Sequence, residues 1–308
     1  MTRSRLMQIL RLLVTLAILF LLWRTFDGAT AMTLVLSADP LWLLAAVAAL
    51  TGQTVLSALR WRLTAQRLGQ TFPVGHAIRE YYLSLLVNQS LPGGVLGDAG
   101  RAVRARHEAG LKRAGQAVVF ERLAGQLMLY AVTITAVAWV WINPAEPDLP
   151  DWVLHMVALT SVGLVVAMLC LRWMARGTNA ASRQFCDWTQ AFANAVLALD
   201  VLPRQVILSL GTTILNLLAF ALCAQAIGTT LPLMAVMIVV PLILFTMLIP
   251  VSVSGWGLRE GAAAALFPVI GATATEGFAA SMAFGLMFLV SALPGVPFLL
   301  VRPKPSLA

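Results

Sequence analysis

Charge is what this 308-residue chain has least of: 11% of its residues are Asp, Glu, Lys or Arg, where a soluble domain carries about 25%. With 60% hydrophobic residues and a mean hydropathy of +0.86, a soluble globule would leave large apolar patches exposed, and such patches aggregate. The same numbers exclude a disordered chain. Cysteine and histidine are scarce. Cys170, Cys186 and Cys223 are odd in number and widely spaced, so no disulfide framework or zinc pattern is read. His76, His107 and His155 stand alone, and no metal or cofactor is expected. Catalytic signatures are missing too: there is no Walker A lysine loop, nucleophile elbow or zincin helix. Gly93-Gly94-Val-Leu-Gly97 lacks the lysine and strand of a P-loop, which argues against ATP-driven pumping.

What is present is a succession of apolar runs, and the fold class they predict is all-α: a polytopic helical membrane bundle forming one integral domain over residues 1–308. The runs are Leu6–Trp23, Leu41–Leu59, Ala117–Ile142, Trp152–Leu171, Val206–Ile227, Leu231–Pro250, Ala262–Ile270 and Phe278–Val301. Six read as full spans. The first has a competing reading as a signal peptide, with Arg3, Arg5 and Arg11 ahead of the apolar run and Ala29-Thr30-Ala31 as cleavage site. Trp23 and Arg24 interrupt that pattern, which favours a retained span.

A formal charge of +8 would point to nucleic acid in a soluble protein. Here the basic residues flank apolar runs, so no nucleic-acid partner is expected. Residues Arg60–Arg113 hold nine Lys/Arg and three acids, and Arg172–Arg204 hold four Arg and two Asp. Residues 24–39 and 143–151 together hold one Arg and five acids. This alternation places the N-terminus, the two basic segments and the C-terminus in the cytoplasm. Between the fourth and fifth spans, Phe185, Trp188, Phe192, Val196 and Leu199 recur at helical spacing. The stripe predicts an amphipathic helix over about 180–200, read as lying in the cytoplasmic interface.

Two segments break the apolar pattern alike. Asn88 to Arg101 contains Pro92, Gly94, Gly97 and Asp98; Pro250 to Glu260 contains Ser254, Gly255, Trp256 and Arg259. Pro removes a backbone donor and Gly admits conformations closed to other residues. In hydrocarbon a broken backbone is tolerated only where protein buries it or a wet cavity receives it. The two breaks lie half a chain apart, which suits paired re-entrant hairpins that meet in the bundle centre, and half-repeats of about 1–150 and 151–308 in inverted relation; the other reading, a cytoplasmic loop at the first break and a full span over Leu231–Pro250, stays open. Glu121, Arg122, Arg259, Glu260 and Glu276 border or enter apolar runs, and a charge at that depth needs a partner. Asp98 is expected to pair with Arg101 or Arg122. Glu260 is expected to pair with Arg259 or another buried cation, although adjacent helical residues point about 100° apart.

These elements resemble those of the lysylphosphatidylglycerol synthase transmembrane-region family, the flippase-like half of the multiple peptide resistance factor. The resemblance lies in the Leu-Pro-Gly-Gly core with Gly97-Asp98 and Arg101, in Glu121-Arg122-Leu-Ala-Gly125, and in Ser254-Gly255-Trp256-Gly257-Leu258-Arg259-Glu260. Ser252-Val-Ser254 departs from the glycine-rich pattern. The resemblance implies a bacterial inner-membrane protein that moves or handles phospholipid or a lipid-linked substrate between leaflets. It implies no aminoacyl transfer, because the soluble transferase domain of two-part relatives is expected to be absent. Its substrate-binding residues would be Asn88, Pro92, Gly94, Gly97, Asp98, Arg101, Arg122, Ser254, Gly255, Trp256, Arg259 and Glu260, with no catalytic residue. Two other readings stay open: a membrane enzyme modifying a lipid-linked substrate at the cytoplasmic face, and a structural partner of a lipid synthase. A second copy of the chain or a separate synthase is the protein partner left open.

Overall fold

The computed structural model describes residues 3–91, 95–143, 151–175, 180–248 and 255–300. Among these there is no strand. Thirteen α-helices follow one another: α1 (Arg3–Thr25), α2 (Gly28–Leu36), α3 (Pro40–Arg67), α4 (Val74–Ser90), α5 (Leu96–Arg104), α6 (Arg106–Ile142) and α7 (Asp151–Ala175). Then come α8 (Ala180–Phe192), α9 (Leu202–Ala226), α10 (Leu233–Phe245), α11 (Leu258–Leu266), α12 (Ala274–Ala292) and α13 (Gly295–Leu300). A π-helical turn, Ala193–Leu197, continues α8.

Among the described residues, four helices are long and apolar enough to cross a membrane: α3, the Ala109–Ile142 part of α6, α9 and α12. A fifth crossing is available if α1 and α2, bent by 93° at their junction, are taken together. Together these match five of the six runs read as full spans; the sixth, Trp152–Leu171, lies on α7, where many side chains are outside the described residues. Hydropathy cannot see a bend. The first run turns at Asp27, held at φ +47° while its carboxylate caps α2 by accepting from Thr30. The last run is broken too: α12 stops at Ala292 and α13 starts at Gly295.

Local chemistry sets the helix starts. Asp39 caps α3 by accepting from the Leu41 N–H at 2.8 Å, with Pro40 in the first turn, where its missing N–H does no harm. Thr273 and Glu276 form a reciprocal capping box on α12. Glu276, expected as a buried charge, is thus a helix cap.

The centre of the bundle is the α3–α9 pair, which runs antiparallel. Thr64 accepts from Gln205, Arg60 donates to Ser209 and Thr212, Gly211 faces Leu56 and Gly52 faces Leu215. A Cβ on Gly211 would meet Leu56 at 2.9 Å, so small residues let these helices approach closely. Phe220, Phe267, Phe278 and Phe284 fill the core beside α9 and α12. A second core holds Trp61, Tyr81, Phe120, Ala191 and Ala195. The amphipathic stripe read from sequence packs on this second core: Phe120 meets Trp188 and Phe192 edge to face. Leu199, at its end, stays 87% exposed.

Candidate functional site

Each interrupted segment delivers a short helix whose third residue is a carboxylate: Asp98 on α5 and Glu260 on α11. Around each, a cluster of charge is assembled, but by different routes.

The first cluster draws on four helices. Asp98 accepts from Ser84 Oγ at 2.8 Å, from Arg101 Nη2 at 2.9 Å and from Arg122 Nε at 3.0 Å. Glu121 accepts from Arg60 Nη2 at 2.7 Å, from the Tyr81 hydroxyl at 3.3 Å and from Arg101 Nη2 at 3.4 Å. Arg60, Arg101 and Glu121 are buried. The Arg101 guanidinium lies between the rings of Trp61 and Tyr81, at 4.6 and 4.5 Å from their centroids, an arrangement that stabilises a dehydrated cation. Arg101 Nε and Nη1 and Arg60 Nε are buried without a hydrogen-bond partner among the described residues. Three guanidiniums face two carboxylates, so the cluster carries one positive charge in excess. Arg122 alone reaches outward, its side chain 46% exposed.

Two glycines make this cluster possible. A Cβ at Gly97 would lie 2.0 Å from the Ser84 carbonyl oxygen, so α5 can touch α4 only with glycine there. The Gly97 N–H donates to Asn88 Oδ1 at 2.8 Å and fixes the start of α5. Gly125 leaves room for Arg60, whose Nη2 would sit 2.8 Å from an added Cβ.

The second cluster is local. Arg259 and Glu260 pair directly, against the geometric expectation for adjacent helical residues. Both long side chains bend toward α12, where Arg259 Nε donates to Ser281 Oγ at 3.0 Å and Ser281 Oγ to Glu260 at 3.3 Å. Glu260 also accepts from the Gly257 N–H at 2.6 Å and so caps its own helix. Trp256 and Phe284 each lie 5.2 Å from the Arg259 guanidinium. Gly255 and Gly257 take φ of +80° and +87°, a region that favours glycine.

The structure therefore brings Asn88, Gly97, Asp98, Arg101 and Arg122 together, and separately Gly255, Trp256, Arg259 and Glu260. Pro92, Gly94 and Ser254 lie outside the described residues. The breaks at 92–94 and 250–254, where the two segments are expected to meet, lie outside the described residues; of the short helices that follow them, α5 packs on α4 and α6 and α11 on α10 and α12. No hydrogen bond or ion pair joins the clusters among the described residues. Each carboxylate is neutralised within its own cluster, which removes the electrostatic reason for them to converge.

Sequence reasoning missed Arg60, Tyr81 and Ser84, and gave Glu121 no binding role. Arg60 was legible only as one more basic residue beyond an apolar run; the available signal was Gly125, a vacancy one turn after Glu121.

Below Arg122 the same face of α6 continues through Gln126, Tyr130 and Thr133. These residues line a largely apolar cavity of about 350 Å³ shared with Val157 and Thr160 of α7 and Leu242 and Phe245 of α10. The Tyr130 hydroxyl bonds Ser161 across it.

Comparison with known families gives one match: the model described as lysylphosphatidylglycerol synthase TM region aligns with residues 8–295. A comparison with curated proteins found no match.

Proposed function

Because the chain belongs to the lysylphosphatidylglycerol synthase transmembrane-region family, we propose that it carries a phospholipid or lipid-linked substrate between leaflets of a bacterial inner membrane. The headgroup phosphate binds Arg122 and an acyl chain occupies the cavity along α6. The reading assigns no covalent step to any side chain. One observation carries it: Arg122 is the outward member of a cluster with surplus positive charge, and it stands one turn above an apolar cavity. A guanidinium offers phosphate two parallel N–H donors. Asp98 holds Arg122 in place without cancelling the cluster's charge.

The acid–base alternative is less well supported. Asp98 and Glu260, the carboxylates such an enzyme would use, are each engaged by a guanidinium and a serine. General catalysis instead calls for a group poised to exchange protons.

We also propose an inverted repeat, with cytoplasmic termini and basic segments as the charge asymmetry directs. The second-half helices α9, α10 and α11 begin about 160 positions after α3, α4 and α5, the separation a half-chain repeat requires. Contacts correspond in pairs. Helix α3 packs on α6 as α9 packs on α12, α6 on α9 as α12 on α3, α5 on α6 as α11 on α12, and α4 on α12 as α10 on α6. The antiparallel α3–α9 pair lies where a pseudo-two-fold axis in the membrane plane would pass.

The test is reconstitution into vesicles with a fluorescent phospholipid, followed by quenching from outside. Wild-type protein should accelerate leaflet exchange above protein-free vesicles, and Arg122→Ala should abolish the gain while keeping the wild-type elution profile. Exchange unchanged by the wild-type protein, or full exchange by Arg122→Ala, would overturn the reading.

A further inference from the structure

We propose that a second site, a polar cavity at the basic end of the bundle between α3, α6 and α8, binds a phosphate-bearing anion between Arg67 and Arg113. The cavity has a volume of about 270 Å³ and is walled by Arg67, Arg113, Asp187, Gln190 and Asn194 over a floor of Leu68 and Ala191. It is separate from the Arg122 cluster: Arg113 precedes Arg122 by nine residues on α6, about 14 Å along a helix axis.

The charges around it do not balance. Lys112 and Arg113 share Asp187, at 2.8 and 3.2 Å, and Arg67 pairs with Asp200 at 2.9 Å. Three cations thus meet two carboxylates. Asp200 is 63% exposed, so its hold on Arg67 is screened by water. Behind Arg113, Gln116 is fully buried; its Oε1 accepts from Arg113 Nη1 at 2.9 Å, while its amide nitrogen has no acceptor among the described residues. Two planar guanidiniums from different helices line the cavity and suit the tetrahedral oxygens of a phosphate, which each can grip at two points. The surplus charge selects an anion over a cation. The volume exceeds that of several waters at about 30 Å³ each, enough for a phosphate group, and the charged and amide walls do not suit an acyl chain.

The phosphate can come from a lipid headgroup or from a soluble phosphoester, and both present the same oxygens. The inference does not rest on lipid transfer. Its test uses the full chain, with hydrogen–deuterium exchange of residues 180–197 as readout. The protein in dodecyl maltoside is titrated with glycerol 3-phosphate. The protein is also compared in nanodiscs of phosphatidylcholine alone and of equal parts phosphatidylcholine and phosphatidylglycerol. Increased protection with both probes establishes a site for the phosphate group itself; protection only with glycerol 3-phosphate establishes a soluble phosphoester as the source, and protection only in phosphatidylglycerol nanodiscs establishes an anionic lipid. Arg113→Gln should weaken the effective probe by about tenfold, the loss of one charged hydrogen-bonding partner. Arg106→Gln removes the same charge from an exposed residue that bonds only the Val103 carbonyl, and should leave the response within about twofold. If Arg113→Gln loses protection of 180–197 without any probe, Arg113→Lys, which keeps a charge for Asp187, carries the test and should still bind more weakly than wild type. No change with either probe, equal weakening by Arg106→Gln, or wild-type binding by Arg113→Lys would overturn the proposal.

Discussion

Arg60 on α3 donates to Glu121 on α6 at 2.7 Å, and both side chains are shielded from solvent. The same guanidinium reaches Ser209 and Thr212 of α9, so one ion pair ties together three of the helices long enough to cross a membrane. Removing one partner strands the other. Glu121→Ala should therefore cost about 3–5 kcal/mol, read as a lowered unfolding midpoint in detergent. The double variant Arg60→Leu/Glu121→Leu should be milder than Glu121→Ala, since it leaves no unpaired charge at that position and Arg101 keeps Asp98.

Gly97→Ala should fail for a steric reason, because its Cβ would overlap the Ser84 carbonyl oxygen. Helix α5 would have to move off α4, carrying Asp98 out of reach of Arg122. Gly115→Ala is the matched control, with nothing within 4 Å of its added Cβ, and should stabilise α6 by up to about 1 kcal/mol through helix propensity. Thermal unfolding of the two variants side by side checks this; equal stability would refute the packing argument.

Arg122→Lys should retain part of the leaflet-exchange activity, because an ammonium keeps the charge but loses the planar two-point grip. Asp98→Asn acts differently. It leaves Arg122 without a carboxylate and Arg101 with only its longer contact to Glu121 at 3.4 Å, so yield and unfolding midpoint should fall before any activity is assayed. Expression and size-exclusion profiles separate the two outcomes.

The docking of α8 should depend on pH in one direction only. The hydrogen bond from Lys112, with Arg113 alongside, holds Asp187 below the ordinary aspartate value of 3.8. A depressed carboxylate adds stability above its unfolded value and loses it as pH falls through the folded one. Exchange protection of 180–197 should be flat from about pH 8 to pH 5 and decline below about pH 4. Asp187→Asn should show the acid-level protection already at neutral pH.

The apolar runs of the sequence map closely onto helices, because a long hydrophobic run leaves the backbone few other ways to satisfy itself in lipid. The pairing of Asp98 with Arg101 and Arg122 was legible for the same energetic reason. Other features were not. Arg60 sits beyond an apolar run where an interfacial arginine would also sit, and only the face it turns toward Glu121 tells the two apart. The stripe from Trp188 to Val196 has the periodicity of a membrane-surface helix, yet that periodicity serves equally to cover Phe120. The pairing of Arg259 with Glu260 depended on Ser281, a small residue on another helix that no local pattern marks.

The two charge clusters also differ in when they can exist during synthesis. Glu260 emerges from the ribosome next to Arg259, so α11 enters the membrane with its counter-ion already attached. Asp98 emerges with Arg101 three residues behind it but 24 residues ahead of Arg122, and Arg60 finds its hydroxyl partners only when Ser209 and Thr212 follow it, 149 and 152 residues later. The first cluster is therefore complete only once α6 and then α9 have been made, whereas the second needs only α11 and α12.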